Sequence, residues 1–392
     1  MAKAPTPPGS HQNGAIGVLL NDFQLGGCER VAIRLANAWS GMGIRVILYV
    51  AEDRGSLRAE VAPGVEVLFA DPPIRASMLQ ALRLGWWAGT RMCADGVERC
   101  FLPGNSQFDG ALPVWMATRG QVPVYAKISN PLWRADRSWL GNAAFRALTR
   151  LRLASVEGLA ALSPRLLRHD EDAIGLEHRA RVLPDAMGTR WPDVEDSRRR
   201  PFHLCAVGRL APQKNFALAL RAVALLQDLP VTLTMVGDGA QRQSLQLLAR
   251  TLGIADRVRF VGAVRDCAPY MAEAEVMICT SRYEGYPAVI VEALTSGTCV
   301  ISSRASCAID DILPSPLLGS IVDEARPEAF ARAIRACFDS PQRAAHAARR
   351  ELARRLFSSH LDPVSARAYL AFMRVGDSRR NFPPAHRPFT PA

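Results

Sequence analysis

One block of the sequence combines glycine with two kinds of cation in a pattern that suits an anionic ligand. Gly208 and Arg209 are followed by Lys214. Arginine offers a planar fork and lysine a compact charge, so together they suit the oxygens of a diphosphate. A solvated basic loop is the alternative. However, only three of the 48 basic residues are lysines, and a solvated loop gives no reason for a lysine here.

A second block places two carboxylates around a turn. Glu284 precedes Gly285, and Glu292 stands further along the helix that follows. A glycosidase needs its carboxyl pair roughly 5 Å or 6.5–9.5 Å apart. The intervening residues span about 12 Å at the helical rise per residue, which favours two contacts along one extended ligand. For Glu292 alone, a favourable position in the first turns of a helix is a competing explanation.

A third block is a glycine pair before a helical stretch. Gly26 and Gly27 lack Cβ atoms, so backbone amides there can approach an anion at the N-terminus of the helix. A plain tight turn explains these residues equally well.

Gly237 and Gly239 do not complete a dinucleotide fingerprint, because Arg242 stands where a third glycine is required. We therefore exclude a dehydrogenase.

Alternating strands and helices must position these blocks. Strands at 15–20 and from Ile44 flank a helix from Cys28 to about Ser40, which makes a right-handed βαβ unit. The same alternation restarts after a polar segment at 187–201. We therefore predict an α/β protein of two doubly wound, Rossmann-like domains that face each other across a cleft, with ligands at the carboxyl ends of the strands.

The predicted domain boundaries follow from these patterns. The segments are a disordered tail at 1–14, an N-terminal Rossmann-like domain at 15–186, a linker at 187–201, a C-terminal Rossmann-like domain at 202–352, a helix at 353–375 that returns to the first domain, and a disordered tail at 376–392.

Composition narrows the class of protein. Of the 392 residues, 49% are hydrophobic and 22% charged, which excludes wholesale disorder, a collagen-like fibre and a small disulfide scaffold. No apolar run is long enough to span a membrane, and the first residues carry no secretory signal. The nine cysteines form no CxxC pair. We therefore expect reduced thiols, no zinc site and a cytoplasmic protein.

The three blocks, in this order, resemble the family 4 retaining glycosyltransferases of the GT-B fold. VGRLAPQKN is similar to that family's Gly-Arg-Leu–Lys block, SRYEGYPAVIVEAL to its signature of two glutamates, and GGCERVAIRLA to its N-terminal glycine loop, with Cys28 where alanine is usual. The similarity is strong at 203–300, fair at 15–50 and weak at 70–180.

The resemblance implies transfer of a sugar, with retention, from a nucleotide-sugar that is a substrate and not a cofactor. The N-terminal domain would bind the acceptor, and the C-terminal domain would bind the nucleotide-sugar. Arg209 and Lys214 would bind the donor diphosphate, and Glu284 would lie beside the transferred sugar. These three are the implied catalytic residues, and no metal is required. Glu292 would bind the ribose hydroxyls. The other implied donor-binding positions are Gly26, Gly27, Gly208, Val264, Arg265, Gly285, Tyr286, Pro287 and Ala288.

The sequence departs from the family near the acceptor. Many relatives have a histidine at the end of an N-domain strand, but this chain has Asn130 in that stretch. An amide can contact a sugar but cannot relay a proton. Asp311 also replaces a family glutamate. The absent histidine alone supports the alternative function, which is a non-catalytic sugar-nucleotide-binding or membrane-associated protein with the same fold.

Two N-domain stretches combine arginine with tryptophan. Residues 127–168 carry eight basic and two acidic residues, and residues 74–91 carry arginines with Trp86 and Trp87 but no acid. Such segments suit an anionic bilayer on the inner face of the cell membrane. The alternative is helices that bury their tryptophans and hydrate their arginines. The basic stretches lack any nucleic-acid module. The expected partners are the nucleotide-sugar donor and a glycan or lipid-linked acceptor, and no nucleic acid.

Overall fold

Short buried apolar runs form two parallel sheets, as predicted. The computed structural model describes residues 14–132, 138–174, 179–340 and 343–374, so nearly all of both predicted tails lies outside the described residues. The N-terminal strands are β1 (Ala15–Leu20), β2 (Val46–Val50), β3 (Glu66–Phe69), β4 (Val97–Leu102), β5 (Val124–Lys127), β6 (Val156–Ala161) and β7 (Ala180–Val182). Their order in the sheet is β3-β2-β1-β4-β5-β6-β7.

Helices cover both faces of this first sheet. They are α1 (Gly27–Gly41), α2 (Gln80–Met92), α3 (Ala111–Ala117), α4 (Trp139–Arg152) and α5 (Pro164–Ile174). The strand order reverses direction at β1, and right-handed crossovers then place α1 on one face and α2, α3 and α4 on the other. The two apolar cores agree with this division, since Leu35 and Trp39 of α1 enter one core and Leu84 and Val114 enter the other.

The second sheet has six strands in the order β10-β9-β8-β11-β12-β13. They are β8 (Arg200–Val207), β9 (Thr232–Val236), β10 (Val258–Gly262), β11 (Ala274–Cys279), β12 (Cys299–Ser303) and β13 (Gly319–Val322). The later helices are α6 (Phe216–Ala224), α7 (Arg242–Thr251), α8 (Ala268–Glu273), α9 (Ala288–Thr295), α10 (Ile309–Ile312), α11 (Pro327–Asp339), α12 (His346–Leu356) and α13 (Asp362–Arg374). The predicted fold class, two Rossmann-like α/β domains, is confirmed.

Two predicted boundaries differ from the structure. Strand β8 begins at Arg200, so the last residues of the predicted linker at 187–201 belong to the second sheet. The predicted single helix at 353–375 is wrong, because the chain turns at 357–361 between α12 and α13. Buried Phe357 and His360 hold that turn against the C-terminal domain and the linker, which a helical pattern alone does not reveal.

Helix α13 returns to the N-terminal domain and packs on the face covered by α1. The indole Nε1 of Trp39 donates a hydrogen bond to the carbonyl of Ala366 at 3.0 Å, and the Tyr125 hydroxyl donates to the carbonyl of Met373 at 2.9 Å. Phe101 and Tyr369 meet edge to face with ring centres 5.4 Å apart. The chain therefore passes between the domains twice. Among the residues the structure describes, none of the helices has the length and hydropathy to cross a bilayer.

Candidate functional site

Glycines at the carboxyl ends of the C-terminal strands keep the floor of the cleft bare. Gly208 follows β8 with φ 150°, and Gly237 follows β9 with φ 134°. A Cβ on Gly237 would lie 2.0 Å from the carbonyl oxygen of Gly208, so no side chain fits there. A Cβ on Gly208 would lie 3.2 Å from the stem of Lys214. The backbone can therefore come close to a ligand at this edge of the sheet.

The structure joins the predicted lysine and the first predicted glutamate. The ammonium of Lys214 lies 2.5 Å from Oε1 of Glu284, and the Ser281 hydroxyl donates to the same oxygen at 2.6 Å. The Thr280 hydroxyl fixes the lysine's backbone by donating to its carbonyl at 3.0 Å. Because β8 and β11 are neighbours in the sheet, the loops that follow them meet, which places a cation and a carboxylate side by side in the cleft.

Arg209 stands at the same edge, with an exposed side chain. Its charge reaches Glu29 in the first turn of α1, on the other domain. Burial raises the pKa of the Glu29 carboxyl, and Lys127 and Arg209 partly oppose that rise. Gly26 is the residue before α1 and Gly27 its first residue. The glycine loop therefore lies at the start of α1, on the domain opposite Arg209.

The loop after β10 also meets the N-terminal domain. Arg30 of α1 donates a hydrogen bond to the carbonyl of Arg265 at 3.0 Å, and the Arg265 guanidinium lies 3.6 Å from Glu60. Val264, the preceding residue, packs beside the core of the C-terminal domain. These two predicted donor positions thus line the junction between the domains.

Glu292 lies on α9 and faces the N-terminal domain. Burial raises the pKa of its carboxyl, whereas the charges of Arg34 and Arg30 on α1 lower it. Among the described residues, the structure gives its carboxylate no hydrogen bond. A half-buried carboxylate without such a bond can accept hydrogen bonds from a ligand's hydroxyl groups.

Replacing Glu292 with glutamine should stabilise the ligand-free protein at neutral pH. A raised folded-state pKa means that stability is lost as pH rises through that pKa, because the buried group must ionise. The neutral amide avoids this loss, so the melting temperature of the variant should exceed that of the parent near pH 7 and match it near pH 4. Thermal denaturation across this range checks the result. Glu351→Gln, at an exposed position on α12, is the control; an equal gain there would contradict the explanation.

The two domains touch beside Glu284. A Cβ on Gly285 would lie 2.0 Å from the carbonyl oxygen of Ser129 on the N-terminal domain. Asn105 shapes that opposing loop: its Oδ1 accepts from the Ser129 amide at 2.8 Å, and its Nδ2 donates to the Asn130 carbonyl at 2.9 Å. The side chain of Asn130 is exposed. The predicted sugar-contacting residue thus lies in a loop that meets the Glu284 turn.

Gly285→Ala should separate the domains, because a methyl group overlaps the Ser129 carbonyl in the observed arrangement. We expect a larger radius of gyration in small-angle scattering, with circular dichroism unchanged. Gly41→Ala is the control, since a Cβ at Gly41 meets nothing within 4 Å. A radius equal to that of the parent protein would show that the loops move aside instead.

A series of polar contacts connects the turn after β11 with Asp185, which lies near the end of the N-terminal domain. The Tyr286 ring stacks on His360, and its hydroxyl lies 3.3 Å from Nε2. Nδ1 of His360 donates to the Asp185 carbonyl at 3.1 Å, which leaves Nε2 as the acceptor for the tyrosine hydroxyl. Burial lowers the pKa of His360 and so favours this neutral form. The Asp185 carboxylate pairs with Lys127 at 2.7 Å.

Sequence reasoning missed this chain of contacts. Lys127 and Asp185 are almost fully buried, with side-chain exposures of 1% and 7%. The signal that singled out Lys214 applies to Lys127 as well, since lysine is rare in this chain. Both sites hold an ammonium against one carboxylate in a confined space.

The structure also places two further residues from the sequence analysis, Pro287 and Asp311. Pro287, a predicted donor-binding position, lies directly before α9, which begins at Ala288. Asp311 and Asp310 pair with Arg165 of the N-terminal domain at 3.1 and 3.2 Å. The residue that replaces the family glutamate therefore helps to hold the domains together.

One family model matches part of the second half of the chain. Residues 189–354 match the family described as glycosyl transferases group 1. The matched residues include the five charged side chains predicted to act on the donor, which are Arg209, Lys214, Arg265, Glu284 and Glu292.

Two curated relatives match over about a third of the chain. The lipopolysaccharide core biosynthesis glycosyltransferase LpsE of Rhizobium meliloti is 36% identical over 33% of this chain and 37% of its own length. The Vi polysaccharide biosynthesis protein VipC/TviE of Salmonella typhi is 39% identical over 31% of this chain and 21% of its own length. The match thus spans well under half of either relative.

A solved structure resembles the whole described architecture. Anabaena HepE, solved in complex with UDP and glucose, has a TM-score of 0.75 and 19% identity, over 92% of this chain and 98% of that chain. At this identity the likeness shows the fold alone. The residues that match the family model thus lie in the second half of a GT-B fold, as predicted.

Proposed function

We propose that this protein is a retaining glycosyltransferase. It moves a sugar from a nucleotide-sugar, most simply a UDP-sugar, to a glycan or lipid-linked acceptor in cell-surface polysaccharide or glycolipid synthesis. The observation that carries the proposal is the Lys214–Glu284 pair beside Arg209, in a cleft whose other wall is the glycine loop of α1. The names of the curated relatives support a role in polysaccharide synthesis.

The cations at the edge of the cleft would stabilise the leaving nucleotide. Donor diphosphate would take Lys214 and Arg209 as its cations, with Lys214 turning from Glu284 toward the phosphate oxygens. Two fixed positive charges stabilise the negative charge that develops on the departing nucleotide, which is the task that other enzymes give to a metal ion. Backbone amides at the start of α9 and α1 add positive potential to the same site.

Glu284 and Asn130 would then act on the sugar. Glu284, released from Lys214, accepts hydrogen bonds from sugar hydroxyls, and Asn130 approaches from the N-terminal domain. The bond from the anomeric carbon to the phosphate oxygen breaks through an oxocarbenium-like transition state. The acceptor hydroxyl attacks from the side of the leaving group, and its proton passes to the departing phosphate oxygen. Glu292 would hold the ribose hydroxyls. We also propose a cytoplasmic location, on the evidence of the sequence.

A thermal-shift screen of UDP-, GDP-, ADP- and dTDP-sugars tests the proposal. A ligand that binds only the native state raises the melting temperature. We expect a UDP-sugar to do so and to release UDP slowly during incubation. Binding without release of UDP, even with glycan and lipid-linked acceptors present, would favour a non-catalytic sugar-nucleotide-binding protein. No shift with any donor would overturn both functions.

A further inference from the structure

Exposed apolar side chains cluster on one part of the N-terminal domain. Of seventeen large hydrophobic side chains that are exposed in the described part of the chain, eleven lie between residues 78 and 151. Met78 is 97% exposed and Trp139 is 77% exposed. We name this set the apolar face. Its members are Met78, Leu79, Leu82, Trp86, Leu112, Trp115, Met116, Trp139, Leu140, Leu148 and Leu151.

The helices that carry the apolar face cover the same side of the first sheet. Leu84 of α2 and Val114 of α3 are buried in one core cluster, and Phe145 of α4 packs against that cluster. Because the inward residues of all three helices meet there, their outward residues share the opposite surface. The exposed side chains therefore form one side of the domain and are not scattered.

The charge on this surface is mainly positive, and Asp109, which lies just before α3, pairs with Arg152 of α4 at 2.5 Å. Helices α2, α3 and α4 contain no acidic residue. Arg75, Arg83, Arg91 and Arg119 are exposed on or beside them. A surface that pairs tryptophan and leucine with an excess of arginine complements the headgroups and outer acyl region of an anionic bilayer. A typical protein partner would instead offer charges of both signs.

The apolar face reaches the rim of the cleft. Helices that follow parallel strands begin at the carboxyl edge of the sheet, which is the edge that faces the cleft. Met78 and Leu79 precede α2, and Trp139 and Leu140 begin α4. Asn130 follows β5 at the same edge. A flat surface laid against these residues would thus lie next to the acceptor side of the site.

We propose that the apolar face docks on an anionic lipid bilayer. Its three exposed tryptophans, Trp86, Trp115 and Trp139, would lie at the depth of the headgroups, with the arginines on the lipid phosphates. Docking itself does not depend on sugar transfer. Its consequence for the acceptor, that a lipid-linked sugar enters the cleft from the bilayer, rests on the proposed function.

Vesicle flotation of the full chain tests the proposal. We expect the protein to float with vesicles of phosphatidylglycerol and phosphatidylcholine, and not with phosphatidylcholine alone. Binding should weaken at high salt, because part of the attraction is electrostatic. The triple variant Trp86→Ser, Trp115→Ser and Trp139→Ser should bind at least about tenfold more weakly. A triple variant that binds as well as the parent protein would overturn the proposal, as would failure to float with either vesicle.

Matched controls separate docking from the other outcomes. Leu225, Leu247 and Leu356 are exposed leucines of the C-terminal half, and their replacement by serine should leave flotation unchanged. If light scattering showed that the parent protein is a dimer and that the triple tryptophan variant is a monomer, the apolar face would instead bind a second copy of this chain. A thermal shift with UDP-sugars, measured on each variant, reports the cleft separately. Flotation without any such shift would refute the transferase and leave docking intact.

Discussion

Replacing Lys214 with alanine should weaken UDP binding by about 10- to 100-fold, the value of a hydrogen bond to a charged group. The ammonium lies at the cleft edge beside Gly208 and is the cation that would move to the diphosphate. Lys214→Arg should not restore binding, because the lysine stem already packs against Gly208 and a planar guanidinium needs more room. Calorimetric titration with UDP measures the change.

Glu284→Ala should separate binding from turnover. Glu284 is proposed to act on the sugar and not on the nucleotide, so UDP affinity should be retained while UDP release from a UDP-sugar falls by about 100- to 1,000-fold or more. Arg221→Ala on α6, at an exposed position, is the control for both measurements. Unchanged UDP affinity in Lys214→Ala would contradict the assignment of that residue to the diphosphate.

Lys127→Met should destabilise the N-terminal domain by about 3–5 kcal/mol. Removing one partner of a buried ion pair leaves the other charge without compensation, and the Asp185 carboxylate is 7% exposed. The double variant Lys127→Met with Asp185→Leu should recover most of this loss, since apolar replacement of both partners is often neutral. Thermal and urea denaturation followed by circular dichroism give the values.

An exposed pair on the same domain supplies the comparison for Lys127. Arg45 and Glu66 lie 2.7 Å apart with side-chain exposures of 35% and 46%, so Arg45→Met should cost about 1 kcal/mol or less. If Lys127→Met lowered the free energy of unfolding no more than Arg45→Met does, the buried pair would not be a main source of stability for the N-terminal domain. A double variant as unstable as the single one would point to lost packing and not to an uncompensated charge.

Most of the strands could be predicted from the sequence because each is a short apolar run bounded by turn residues. Strand β1 has the predicted bounds, 15–20, and β2 begins at Val46, two residues after its predicted start at Ile44. Local pattern is enough there, since parallel strands buried on both faces are apolar throughout. The glycines and charges at the strand ends could be assigned to the cleft for the same reason, because topology fixes which ends meet.

The remaining features depend on contacts between distant parts of the chain. The turn between α12 and α13 depends on His360, whose partners Asp185 and Tyr286 lie far away in sequence. The approach of Gly285 to Ser129 likewise needs the relative placement of two domains. Neither leaves a periodic signal. The Lys127–Asp185 pair is different, because the scarcity of lysine in the sequence points to Lys127. Only the structure shows that the ammonium of Lys127 is buried.

The position of α13 has a consequence for biosynthesis. Trp39 and its hydrogen-bond partner Ala366 are 327 residues apart, so the first-made domain leaves the ribosome long before the helix that covers it. Until translation passes Arg374, the surface formed by Trp39, Phe101 and Tyr125 lacks its cover. Domains generally fold as units during synthesis, the N-terminal one first. We therefore expect the first domain to keep this apolar surface uncovered on the emerging chain, within reach of chaperones, until α13 has been made.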